Sequence, residues 1–131
     1  RAYGFFVGLG LGFSYNYLLQ VRGRKSGKVY STPVNVLEME GKRFLVAPRG
    51  RTQWVRNAEA GREIVLKRGR DKRRFSLRPL QGIEKLRVLK EYLDRYRREV
   101  QRYFPVPAGS GLEAFEKVAD SYPAFELFEK P

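Results

Sequence analysis

Apolar positions along this chain follow two different rhythms. Up to Leu80 they come in short runs broken by glycine, proline and charged turns, the signature of strands. The runs predict strands at residues 15–22, 28–38 and 43–47, then at 63–68 and 73–80. Gly23-Arg24-Lys25-Ser26-Gly27, Glu40-Gly41 and Gly69-Arg70-Asp71 supply the turns between them. The third run, Arg43-Phe44-Leu45-Val46-Ala47, is apolar on both faces and belongs inside a sheet rather than at its edge. From Gln81 to Phe104 the period changes. Ile83, Leu86, Leu89, Leu93, Tyr96, Val100 and Phe104 recur at three- and four-residue steps and predict one amphipathic helix, stopped by Pro105 and Pro107. A short helix over 2–8, another over 112–120 and a closing strand over 124–129 complete the expectation. Strands grouped first and a long helix after them indicate an α+β domain on an antiparallel barrel or strongly curved sheet, with the helix as cover.

Between the third and fourth strands lies Pro48-Arg49-Gly50-Arg51-Thr52, followed by Gln53-Trp54-Val55-Arg56-Asn57-Ala58-Glu59-Ala60-Gly61. This reads as a loop entering a short helix, with Thr52 as N-cap and Gly61 just past its end. Helix N-termini attract anions, and Arg49 and Arg51 flank this one. The Gly23–Gly27 turn is a second anion-seeking element. Its glycines let backbone N–H groups converge, Arg24 and Lys25 add charge, and Ser26 adds a hydroxyl. Alone it reads first as a solvated basic hairpin turn. Trp54, the only tryptophan, is either a core anchor or a flat pocket wall. Asn57 either satisfies local backbone groups or contacts a ligand.

Composition narrows the chemistry sharply. The 131 residues suit one domain, 1–131, and the Arg1 start suggests a trimmed N-terminus. The chain has no cysteine and no histidine, which excludes disulfides, Cys- or His-based nucleophiles and His- or Cys-ligated metals. An enzyme with this inventory needs a perturbed Asp, Glu, Lys or Tyr, or a cofactor that brings the chemistry. Residues 1–80 hold 18 Lys/Arg against 5 Asp/Glu, whereas residues 81–131 hold 9 of each. The whole excess of +13 therefore lies in the strand-rich part, where it would attract nucleic acid, anionic lipid or a phosphorylated small molecule. The apolar Phe5–Phe13 run is too short to span a bilayer and is compatible with a membrane-surface contact.

Taken together, Leu18-Leu19-Gln20-Val21-Arg22-Gly23-Arg24-Lys25-Ser26-Gly27, Pro33, the strand ending Val46-Ala47 and Trp54-Val55-Arg56-Asn57 resemble the deazaflavin-dependent nitroreductase family. The resemblance covers roughly residues 9–80. It implies a split β-barrel of about six antiparallel strands, a long covering helix and short flanking helices. It also implies a cytoplasmic oxidoreductase that uses coenzyme F-420, with FMN less favoured, to pass hydride to a small acceptor such as an activated double bond, a quinone or a nitroaromatic. Carried over by position, Arg24, Lys25 and Ser26 would hold the cofactor's phosphate and acidic tail. Ala47, Pro48, Arg49, Gly50, Arg51, Thr52 and Gln53 would line its path, and Trp54 and Asn57 would lie near the ring. Tyr15, Tyr17, Tyr30, Tyr92, Tyr96 and Tyr103 are candidate proton donors. One departure stands out: the family's longer Gly-Gly loop is here cut to residues 48–53. A homodimer is the assembly such barrels suggest. The rival readings are a split barrel for FMN, haem or fatty acid, and a basic barrel that stacks single-stranded nucleic acid on Tyr30, Phe44, Trp54 and Phe75.

Overall fold

The computed structural model describes residues 16–131. The helix expected over 2–8, the Phe5–Phe13 run and Tyr15 lie outside them. Seven antiparallel strands form one sheet: β1 (Tyr17–Arg22), β2 (Val29–Val34), β3 (Val36–Met39), β4 (Lys42–Val46), β5 (Glu63–Arg68), β6 (Asp71–Pro79) and β7 (Ala124–Glu129). Their order across the sheet is β2-β1-β5-β6-β7-β4-β3. Helices α1 (Gln53–Gly61), α2 (Gly82–Arg95), α3 (Arg97–Val100) and α4 (Leu112–Glu116) complete the described fold.

Strands β2 and β3 are the two edges of the sheet, yet only Asn35 separates them. One residue can bridge opposite edges only if the sheet curls until those edges meet, so the fold is a split barrel. The single strand expected over 28–38 is therefore two strands, and the count rises from about six to seven. Asn16 pins the corner. The Val36 N–H donates to Asn16 Oδ1 at 2.7 Å, and Asn16 Nδ2 donates back to the Val36 carbonyl at 3.1 Å. A side-chain amide thus does the work of a neighbouring strand. The Tyr96 hydroxyl donates to the same carbonyl at 2.8 Å.

Two apolar cores lie on opposite faces of this sheet. Leu19, Val21, Val36, Leu45, Ile64, Leu66, Phe75 and Leu127 fill the barrel, with Ala58 of α1 plugging one side. Leu37, Phe44 and Val46 point the other way, into a layer formed with Leu86, Leu89, Leu93, Phe104 and Phe115. Strand β4 serves both cores with alternate residues, which explains why its sequence is apolar throughout.

The long helix expected over 81–104 is broken at Tyr96, whose φ of −110° and ψ of 27° leave the helical region. The side chains at the break are committed to β3: Arg95 donates to the Glu38 carbonyl at 2.9 Å and Tyr96 to that of Val36. The helix expected over 112–120 shortens to α4, followed by a turn of tighter helix at Ala119–Ser121. Gly61 closes α1 instead of following it. Arg62 adopts the left-handed cap at φ 59°, its N–H bonded to the Ala58 carbonyl at 2.7 Å.

Replacing Asn16 by alanine strands the buried Val36 N–H, so Asn16→Ala should cost about 1–3 kcal/mol in urea unfolding. Burial also raises the pKa of Tyr96 and of Tyr122 above the ordinary 10.0. The folded state therefore holds these protons more tightly than the unfolded one. The contribution of these two tyrosines to stability should be constant below about pH 10 and be lost above it, so that stability falls in alkali less steeply in Tyr96→Phe, as pH-dependent urea melts will show.

A basic and aromatic cleft as the candidate functional site

The basic turn is built by its own backbone. Gly23 N–H donates to the Lys28 carbonyl at 2.7 Å, and Gly27 N–H, at φ 75°, donates to Gly23 at 3.0 Å. Ser26 Oγ accepts from the Lys28 N–H at 3.1 Å. Gly23 lets the turn pack closely: a Cβ there would sit 2.8 Å from both Ser26 Oγ and a ring carbon of Tyr30, so those side chains would have to move.

Asn57 ties this turn to α1. Its Oδ1 accepts from the Arg24 N–H at 3.0 Å and from the Arg24 guanidinium at 2.8 Å, and the same guanidinium nitrogen donates to Gln53 Oε1 at 2.9 Å. Asn57 is buried, and its carbonyl is spent on positioning Arg24. Arg24 in turn makes no ion pair among the described residues, so its charge is held in place without being neutralised.

Two cavities flank the first turn of α1 and share Thr32, Gln53 and Trp54 as lining. The first, about 440 Å³, is walled by the basic turn, Tyr30, Ser31 and Asn57. The second, about 480 Å³, is walled by Pro33, Val34, Asn35, Val46, Pro48, Arg49, Tyr92, Val100 and Tyr103. They adjoin across these three residues as the basic and the aromatic end of the site, and among the described residues no carboxylate lines either. Trp54 is both anchor and wall: it packs against the barrel core and faces both cavities. Phe44 and Phe75, needed for stacking in the nucleic-acid reading, are each only 2% exposed and belong to the cores.

Three comparisons bear on this cleft. The profile of the F-420H(2)-dependent quinone reductase family matches residues 3–106. The chain belongs to that family. An F-420-H2-dependent reductase of known structure superposes with a TM-score of 0.57 at 23% identity, covering 86% of this chain and 92% of its own. A protein of unknown function from Agrobacterium tumefaciens gives 0.63 at 18% identity, covering 90% of this chain and 49% of its own. The present chain thus spans about half the length of that relative. The haem storage protein HutZ from Vibrio cholerae gives 0.59 at 8% identity, covering 88% and 81%. At these identities the structural likeness establishes the split-barrel fold. No curated protein matches the sequence.

Membership in this F-420-dependent oxidoreductase family makes the placement of each expected residue informative. Arg24, Lys25, Ser26, Gln53, Trp54 and Asn57 meet at the basic end, and Pro48, Arg49, Thr52, Gln53 and Trp54 at the aromatic end. Ala47, Gly50 and Arg51 line neither. Ala47 is buried behind Val55 and Phe125, and Arg51 pairs with Glu59 at 3.1 Å. The short loop closes through a Gly50 N–H to Ala47 carbonyl bond at 3.1 Å, leaving Pro48 and Arg49 on the cleft wall. Arg49 lies over the Tyr103 ring, 6.0 Å from its centre. Among the tyrosines, Tyr92 and Tyr103 line the aromatic end and Tyr30 the basic end. Tyr17 stacks under Arg68, and Tyr96 serves the Asn35 corner. Sequence reasoning missed Thr32, Asn35 and Val100, whose only local signal was a place in an apolar run.

The donor set suits the family's cofactor. F-420 carries a phosphodiester and a polyglutamate tail, which call for cations and N–H donors, and a planar ring, which calls for an aromatic wall. Both requirements are met at opposite ends of one cleft. Cutting the link between turn and helix should loosen the basic end. Asn57→Ala is expected to cost about 1–3 kcal/mol and to speed hydrogen exchange at the Arg24 amide while β1 amides stay protected.

Proposed function

We propose that this chain binds coenzyme F-420 in the cleft, phosphate and acidic tail toward Gly23–Ser26, ring toward Trp54, and reduces a small quinone-like acceptor. The observation that carries this reading is the lining shared by a cationic cavity and an aromatic one, Thr32, Gln53 and Trp54, across which the two adjoin. Bound reduced F-420 supplies a hydride, so the chain needs no Cys, His or metal of its own. The chain's task is to bind, orient and exclude water. Lys25 is exposed at the cleft's basic end and has no ion-pair partner among the described residues, so it is the cation best placed for the tail. Trp54 sets the plane against which a ring lies. Tyr103 and Tyr92 border the aromatic end, where a proton must reach the reduced acceptor. An activated double bond or a nitroaromatic has the flatness this end accepts as well. Among the described residues no helix is long and apolar enough to cross a membrane. We place the reaction in the cytoplasm, with the Phe5–Phe13 run as a surface contact for a lipid-borne acceptor.

Titration of the protein with oxidised F-420, with FMN and a single-stranded oligonucleotide alongside, tests the assignment. Saturable binding of F-420 alone supports it; binding of the oligonucleotide with no F-420 binding overturns it. Lys25→Ala should weaken F-420 binding about tenfold at low salt and less at high salt, since one exposed charge contact is lost and salt screens it. Unchanged affinity would place the tail elsewhere.

A further inference from the structure

Asn35 Nδ2 is the one buried side-chain nitrogen or oxygen among the described residues with no hydrogen-bond partner. Asn35 is 2% exposed and lines the aromatic end of the cleft with Trp54, Tyr92 and Tyr103. Its orientation is fixed by chemistry, because Oδ1 accepts from the Asn16 N–H at 3.1 Å and a nitrogen there would set donor against donor. The corner does not require the amide hydrogens. Val36 is satisfied by Asn16 and Tyr96, and Asn35 contributes only its oxygen. A buried N–H pair kept without an acceptor carries a desolvation penalty with no structural return.

We propose that Asn35 Nδ2 donates to a carbonyl oxygen of a planar conjugated ring seated at the aromatic end, and so fixes that ring's orientation. The inference rests on the assignment of this cleft to F-420. A conjugated carbonyl is common to the deazaflavin ring and to a quinone acceptor. Everything else about the wall suits such a group. Trp54, Tyr92 and Tyr103 offer apolar faces, and Thr52 and Gln53 begin α1, whose N-terminal dipole favours negative charge gathering on a bound oxygen. Asn35 is thereby a positioning and specificity residue. It favours ligands with an acceptor oxygen at that point over equally flat ligands without one.

The test uses Asn35→Asp, which keeps an oxygen toward Asn16. Titrations run at rising pH until the new carboxyl is ionised remove both donor hydrogens, and neutral menadione reports that loss free of charge repulsion. Oxidised F-420 is titrated by its own absorbance. Menadione, a naphthoquinone, is titrated by quenching of Trp54, the only tryptophan. A loss of about tenfold or more for F-420 that high salt does not relieve assigns the carbonyl to the cofactor ring, and the same loss for menadione alone assigns it to the acceptor. Wild-type affinity for both in the variant overturns the inference while leaving the F-420 assignment standing. Failure of wild-type protein to bind F-420 removes the assignment itself and the inference with it. Should Asn35→Asp not fold, wild-type protein decides. The chain has three asparagines, Asn16, Asn35 and Asn57, so selective nitrogen-15 asparagine labelling gives three side-chain amide pairs. A downfield shift of the Asn35 pair on saturation with either ligand supports the inference, and an unmoved Asn35 pair at saturation with both overturns it.

Discussion

A single residue, Asn35, carries the chain from one edge of the sheet to the other, and most of the molecule's shape follows from that constraint. The sheet must curl for the edges to meet, and the curl creates an inside and an outside that both need covering. Leu45 and Val36 fill the inside while Leu37, Phe44 and Val46 receive the α2–α4 layer on the outside. Val36 pairs with Leu45 of β4 on one side, and on its outer side the Asn16 side chain supplies the bonds a further strand would make. The same corner forms one wall of the cleft, so closure of the barrel and formation of the site are one event.

The cleft's electrostatics depend on a second arrangement. Hydrogen bonds to neutral amide oxygens, from Asn57 and Gln53, hold the Arg24 guanidinium in place. A carboxylate in either position would have held it as firmly and cancelled its charge. With no acidic residue among the described residues that line the cleft, the positive field of Arg24, Lys25 and Arg49 is not offset by a carboxylate there. Elsewhere on and beside the sheet some cations are paired: Arg43 and Arg73 with Glu129, and Arg74 and Lys130 with Glu63. Part of the net charge of +13 is thus left unpaired beside the cleft, while these cations are partly balanced.

How much of this was legible in sequence varies with the range of the interaction involved. Strand and helix periods are local, and β1, β5, β6 and β7 fall within a few residues of their expected places. The division at Asn35 was not legible, because the run from Val29 to Met39 keeps a strand-like composition straight through the bend; what breaks it is a tertiary contact with Asn16. The break at Tyr96 is of the same kind, since its phenol serves β3 rather than its own helix. In the site, the basic turn and the Trp54-to-Asn57 helix announced themselves by composition. That Asn57 holds Arg24 does not follow from either segment alone, because the contact joins residues 33 apart in the chain. Arg51 looked like a cleft cation and is a partner of Glu59 instead, a choice that only the helix's orientation settles.

The central claim is that the basic turn and the start of α1 act as two halves of one binding surface. Hydrogen exchange with and without saturating oxidised F-420 tests it most directly. If the two segments bind one ligand, amides of Gly23–Ser26 and of Gln53–Asn57 slow together, with the same dependence on cofactor concentration, while the outer β5–β6 hairpin is unchanged. Protection of only one of the two segments, or of the hairpin instead, would contradict it.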